Sequence, residues 1–131
     1  MKMITDCWEG TFSHEKTIDL TDLNKLISAM ESLDGNKKTL VSIEVNEHLY
    51  ISIGGGNEDN YVVTGSKGDK IYNLLCNEDY IKDDTLIPIV AGGQEGLFER
   101  KHCQSKKTAY QTMIFFFERN DFDTQLNWEI L

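Results

Sequence analysis

Three histidines and three cysteines are the side chains best suited to nucleophilic or acid–base work, and their spacing limits what they can do. A thiol becomes a nucleophile when a nearby base or positive charge depresses its pKa. Cys103 stands beside His102, but neighbours on an extended chain point to opposite faces, so that pair makes no dyad by itself. His14 or His48 would have to be carried to Cys76 or Cys103 by the fold. On that reading the chain is a small cysteine-dependent hydrolase or transferase. Cys7, Cys76 and Cys103 are odd in number, far apart and without a C-x-x-C pair, which suits reduced thiols in a cytoplasm. Neither H-x-E…C-x-x-C nor H-E-x-x-H occurs, so no metal site and no cofactor is expected. Paired carboxylates are too abundant to single out a glycosidase-type dyad. No residue is assigned a catalytic role.

The carboxylates say more through their excess. Asp and Glu number 22 against 13 Lys and Arg, a net charge of −9. Such a chain is repelled by nucleic acid and by anionic membranes, and it attracts basic proteins, although acidity also serves solubility alone. Part of the charge is clustered. The stretch 77–84 holds Glu78, Asp79, Asp83 and Asp84 against Lys82, with Tyr80 among them. Acids around an aromatic suit a protein interface, with the ring as anchor and the acids steering the approach. A solvated loop with Tyr80 tucked into the core is the alternative. Glu58, Asp59 and Glu95 lie beside two glycine clusters, and together these loops would make one negative face if the sheet brought them to one edge. Neither cluster reads as a phosphate cradle. Gly54-Gly55-Gly56 lies between two strand patterns and is followed by acids, where a phosphate loop would lead into a helix. Positive-φ turns are the expected role there and at Gly92-Gly93.

The elements that must position these residues follow from hydrophobic period. With 131 residues and 40% hydrophobic content the chain makes one domain, residues 1–131. An alternating strand is predicted over 2–8 and a polar loop over 9–17. Leu20, Leu23, Ile27 and Met30 predict an amphipathic helix over 20–33, capped by Asp19 or Thr21 and stopped at Gly35. Period-two runs predict strands over 39–45, 49–53, 61–64 and 70–76, then a fifth over 86–91. Ser105 is the expected cap of a second helix running to about Arg119. The polar stretch 106–112 favours that helix, although Met113–Phe117 would equally suit a buried strand. A short strand around Trp128 closes the chain. The expected fold is α+β: a mainly antiparallel sheet, a meander of about five to seven strands, with two helices. An acid at position 6 interrupts any leader-like apolar run, and no apolar run approaches the ~20 residues of a membrane helix. A cytoplasmic location is expected.

Taken together, Leu49-Tyr50-Ile51-Ser52-Ile53-Gly54-Gly55-Gly56, then Tyr61-Val62-Val63, Gly92-Gly93-Gln94-Glu95, the helix over 105–119 and Asn127-Trp128-Glu129 resemble the immunity proteins of bacterial polymorphic-toxin systems. The nearest type includes those of contact-dependent growth inhibition and of deaminase toxins. The resemblance spans about residues 40–131 and leaves the first forty unmatched. It implies a structural role for Gly54, Gly55, Gly56, Gly92, Gly93, Gln94 and Trp128. It also implies an inhibitor that binds the C-terminal domain of a cognate toxin, often a basic nuclease or deaminase, with no direct contact to nucleic acid. The candidate contact residues are Glu58, Asp59, Glu78, Asp79, Tyr80, Asp83, Asp84 and Glu95. A general adaptor domain without a toxin is a further alternative.

Overall fold

The alternating runs form strands and the longer-period runs form helices in a computed structural model that describes residues 1–76 and 85–131. In chain order these are β1 (Lys2–Thr5), β2 (Trp8–Glu9), β3 (Phe12–Ser13), β4 (Lys16–Asp19), α1 (Leu23–Glu31), β5 (Leu40–Asn46) and β6 (Leu49–Gly55). They continue with β7 (Tyr61–Lys67), β8 (Lys70–Leu74), β9 (Leu86–Ala91), β10 (Gln94–Glu99), α2 (Lys106–Arg119) and β11 (Trp128–Ile130). Seven strands make one sheet in the order β11-β8-β7-β6-β5-β1-β4, and every neighbouring pair is antiparallel. The class is α+β, as the period changes imply.

Alternation assigns each strand residue to a face. Val41, Ile43, Ile51, Ile53, Tyr61, Val63 and Leu74 point to one side, where they meet Leu26 and Met30 of α1 and Ala109, Met113 and Phe116 of α2. Phe122 closes this core. It stacks on Tyr72 with ring centroids 4.6 Å apart and meets Trp128 edge-on at 5.1 Å. The opposite face carries a second, smaller core, in which Val62, Ile89 and Cys103 are buried beneath Ile87, Ala91 and Phe98.

That second core corrects the predicted meander. The strand over 86–91 does not extend the main sheet. It pairs with β10, unpredicted in a glycine-rich stretch, to make a separate two-stranded ribbon laid on the back of the sheet. Its inward residues, Ile87, Ile89 and Ala91, need an apolar floor, and the main sheet supplies one at Gly54 and Val62. Gly54 has no positive φ; it is glycine because a Cβ there would lie 2.5 Å from that of Ala91. Gly55 and Gly56 do take positive φ, 104° and 101°. Gly92 and Gly93, at 65° and 78°, form the two-residue ribbon turn that glycine favours.

The N-terminal third departs further from its sequence pattern. The predicted strand over 2–8 stops at Thr5, and the predicted loop over 9–17 contains the β2–β3 hairpin and the start of β4. Helix α1 is shorter than its apolar stripe, because Leu20 and Leu33 are buried from the flanking chain. Its cap is Asp22, whose carboxylate accepts from the Asn24 N–H at 2.9 Å, while Asp19 belongs to β4. Gly35 is left-handed, but the helix has already ended at Glu31. Helix α2 matches its predicted span, with Ser105 Oγ accepting from the Thr108 N–H.

Asp6 explains why β1 stops. Its Oδ1 accepts from the N–H groups of Thr39 and Leu40 at 2.8 and 3.0 Å. Its Oδ2 accepts from the Trp8 indole N–H at 2.8 Å and from the Thr39 hydroxyl. The same Thr39 oxygen accepts from the Gly93 N–H at 2.9 Å, and the Trp8 ring occupies the space a Cβ on Gly93 would need. One carboxylate thus ties the end of β1, the start of β5 and the ribbon turn. Asp6→Ala leaves several half-buried donors unpaired and should cost about 2–4 kcal/mol in urea unfolding. Asp6→Asn, which keeps an acceptor oxygen, should cost clearly less.

Candidate functional site

Because β9 and β10 face inward with alternate residues, the others must face out. Leu86, Pro88 and Val90 of β9 are placed opposite Glu99, Leu97 and Glu95 of β10 by the register. Leu97 is 65% exposed and Leu86 50%, so the ribbon presents apolar side chains between two glutamates. Glu99 is loosely paired with Lys101, Nζ to Oε2 3.5 Å, on the exposed surface. The face thus has an apolar centre with an acidic border.

Of the three predicted acidic residues that the structure describes, one, Glu95, is on that face. Glu58 and Asp59 occupy the short 3-10 turn after Gly56 on the β6–β7 connection, both left-handed at φ 54° and 58°. Asp59 acts electrostatically on Lys106 and Tyr110 of α2, on the helix side of the sheet, whereas the ribbon covers the other side. Glu78, Asp79, Tyr80, Asp83 and Asp84 fall outside the described residues. Of the motif residues, the five glycines serve the close approaches and turns described above. Gln94 begins β10 opposite Ala91, and Trp128 packs on Phe122 while donating from its indole N–H to the Asp123 carbonyl at 2.9 Å.

Of the nucleophile candidates, Cys76 lies beside His102 and Cys103, its N–H donating to the Lys101 carbonyl at 2.7 Å. The Cys103 thiol donates to the Glu99 carbonyl at 3.5 Å, and burial pushes its pKa up, with Arg100 opposing and Cys76 adding to the shift. It is therefore protonated at neutral pH. His102 turns away from it, and its Nε2 lies 3.2 Å from Glu129 Oε1. His14 does meet a cysteine, but the unexpected one: it exchanges both backbone hydrogen bonds with Cys7, at 2.9 and 2.8 Å, beside the β2–β3 hairpin. The imidazole itself is 3.8 Å from Glu9. His48 is exposed beside Glu47. Among the described residues no group of three or more His, Cys, Asp or Glu is placed to hold a metal, and no helix is long and apolar enough to cross a membrane.

Sequence reasoning missed the pairing of His102 with Glu129. The two are 27 residues apart, and only the β8–β11 register, which sets Glu129 opposite Asn73, brings them together. Beside them a cavity of about 220 Å³ opens between the back of β7 and β8 and the ribbon, with Val62, Thr64, Asn73, Phe98 and His102 in its wall. A second cavity, about 180 Å³, lies under the end of α1 near Lys16 and Lys38. No protein-family model matches the chain, and no curated protein matches it either.

The burial of Cys103 has a measurable result. At pH 7 iodoacetamide should modify Cys7 well before Cys103 in the native protein, and the difference should vanish in denaturant, as read by peptide mass mapping. A pKa raised in the folded state contributes stability that is complete below the ordinary thiol pKa of 9.0 and is lost as pH rises through the folded value. Removing that thiol with Cys103→Val should accordingly flatten the loss of stability above about pH 9.

Proposed function

We propose that this chain is an immunity protein of a bacterial polymorphic-toxin system, acting in the cytoplasm by forming a tight complex with a basic toxin domain. The observation that carries this reading is the outward face of the β9–β10 ribbon, with Leu86, Pro88 and Leu97 framed by Glu95 and Glu99. The net charge of −9 supports it, because complementary charge raises association rates toward roughly 10⁸ M⁻¹s⁻¹ at low salt. Burial of the leucines against the partner then slows release. The acid-rich stretch 77–84 leads directly into this ribbon in the sequence, which makes Glu78, Asp79, Tyr80, Asp83 and Asp84 natural companions of Glu95 at such an interface. Glu58 and Asp59 lie on the other side of the sheet and would be reached only by a partner that wraps around its end. The raised pKa of the Cys103 thiol weighs against the cysteine-hydrolase alternative at that residue.

Co-expression with the toxin domain encoded in the adjacent reading frame is the direct test. This chain should restore growth, and arrest that persists at an excess of it would sink the reading. The double change Glu95→Lys with Glu99→Lys should slow association about tenfold and flatten its salt dependence. Leu97→Ala should act mainly on dissociation, both effects being measured by surface plasmon resonance.

A further inference from the structure

The cavity between the ribbon and the back of the sheet combines features that select one ligand chemistry. Val62 and Phe98 give it apolar sides, while Thr64 and Asn73 add a hydroxyl and an amide. Among the described residues no lysine or arginine lines it. Two residues of its wall touch Glu129, whose Oε1 accepts from Asn73 Nδ2 at 3.5 Å and lies 3.2 Å from His102 Nε2, which fixes the carboxylate in place. Among the described residues the other oxygen, Oε2, has no hydrogen-bond partner. We infer that this cavity is a receptor for an alkyl cation, a guanidinium or ammonium head on an apolar stem, with Glu129 as its counter-ion. The stem lies against Val62 and Phe98, and the head reaches the open carboxylate oxygen, the division that long basic side chains favour. The cavity adjoins the ribbon through Phe98, the inward neighbour of Leu97 and Glu99. If the immunity reading holds, and only then, the cation is an arginine or lysine of the toxin domain. A free amine is the other source of the same chemistry.

Titration of the full-length, ¹⁵N-labelled protein with agmatine, with N-acetyl-arginine methylamide and with butyrate tests the assignment without any toxin. Agmatine should give saturable amide shifts at Thr64, Asn73, Phe98 and His102 in the millimolar range, and butyrate should not. Glu129→Gln, whose spectrum should otherwise match the parent, should weaken binding about tenfold. Thr64→Lys should abolish it by supplying a cation from within. Equal binding of the capped arginine places the source in a protein chain, whereas binding of agmatine alone assigns the cavity to a free amine; both uphold the cation site. Shifts scattered over the exposed acids, insensitive to Glu129→Gln, or matched by butyrate, would overturn it. Cation binding that persists while toxin protection fails would refute the immunity reading alone.

Discussion

The Asp6 carboxylate sets the relation between the sheet and the ribbon. Four donors converge on it from Trp8, Thr39 and Leu40, and Thr39 passes the connection to Gly93. A half-buried carboxylate is tolerated only when such donors replace water, and here they come from Trp8 and from the start of β5, which the ladder with β1 brings alongside. The geometry is demanding. Gly93 must lack a side chain because the Trp8 ring lies where one would go, and Trp8 is held there by its bond to Asp6. Ribbon position, ribbon turn and the end of β1 are therefore one problem with one solution.

Once latched, the ribbon divides the back of the sheet. Its inward residues close a small core over Gly54 and Val62, leaving its outward face and the cavity beside Phe98 to solvent. The helix side is different, filled by two helices and the aromatic set of Tyr72, Phe122 and Trp128. Both surfaces proposed for recognition, the leucine–glutamate face and the cavity beside Phe98, thus lie on the ribbon side and share the same short strand, β10. A partner that engages one is placed to engage the other.

The sequence revealed most where period and burial agree. β5 through β8 alternate cleanly because one face meets the helices, and α2 carries both a cap and a stripe. It was less informative at β10, where Glu95 and Gly96 interrupt the alternation and the strand reveals itself only through its partner β9. At α1 the apolar stripe overran the helix, because burial of Leu20 and Leu33 needs no helical backbone. The glycine clusters were legible as turns at Gly55, Gly56, Gly92 and Gly93, but Gly54 is set by the approach of Ala91, a contact between distant segments. The candidate site was legible only in part. Glu95 was singled out for lying beside a glycine pair, and the structure shows only that it is on β10 opposite Val90, while the His102–Glu129 pair depends on strand register and leaves no local trace.

The position of β1 in the sheet has a temporal consequence. β5 to β8 join through short hairpins and can assemble as soon as they exist, with little loop-closure entropy to overcome. β1 is made first yet lies between β4 and β5, so it must wait for a strand some forty residues downstream before its second edge is covered. The Asp6 contacts to Thr39 and Leu40 span 33 and 34 residues, and the tie to Gly93 has to come later still. During synthesis the N-terminal hairpin is thus an unfinished edge, and the approach of the ribbon turn at Gly93 to Trp8 has to follow the making of both.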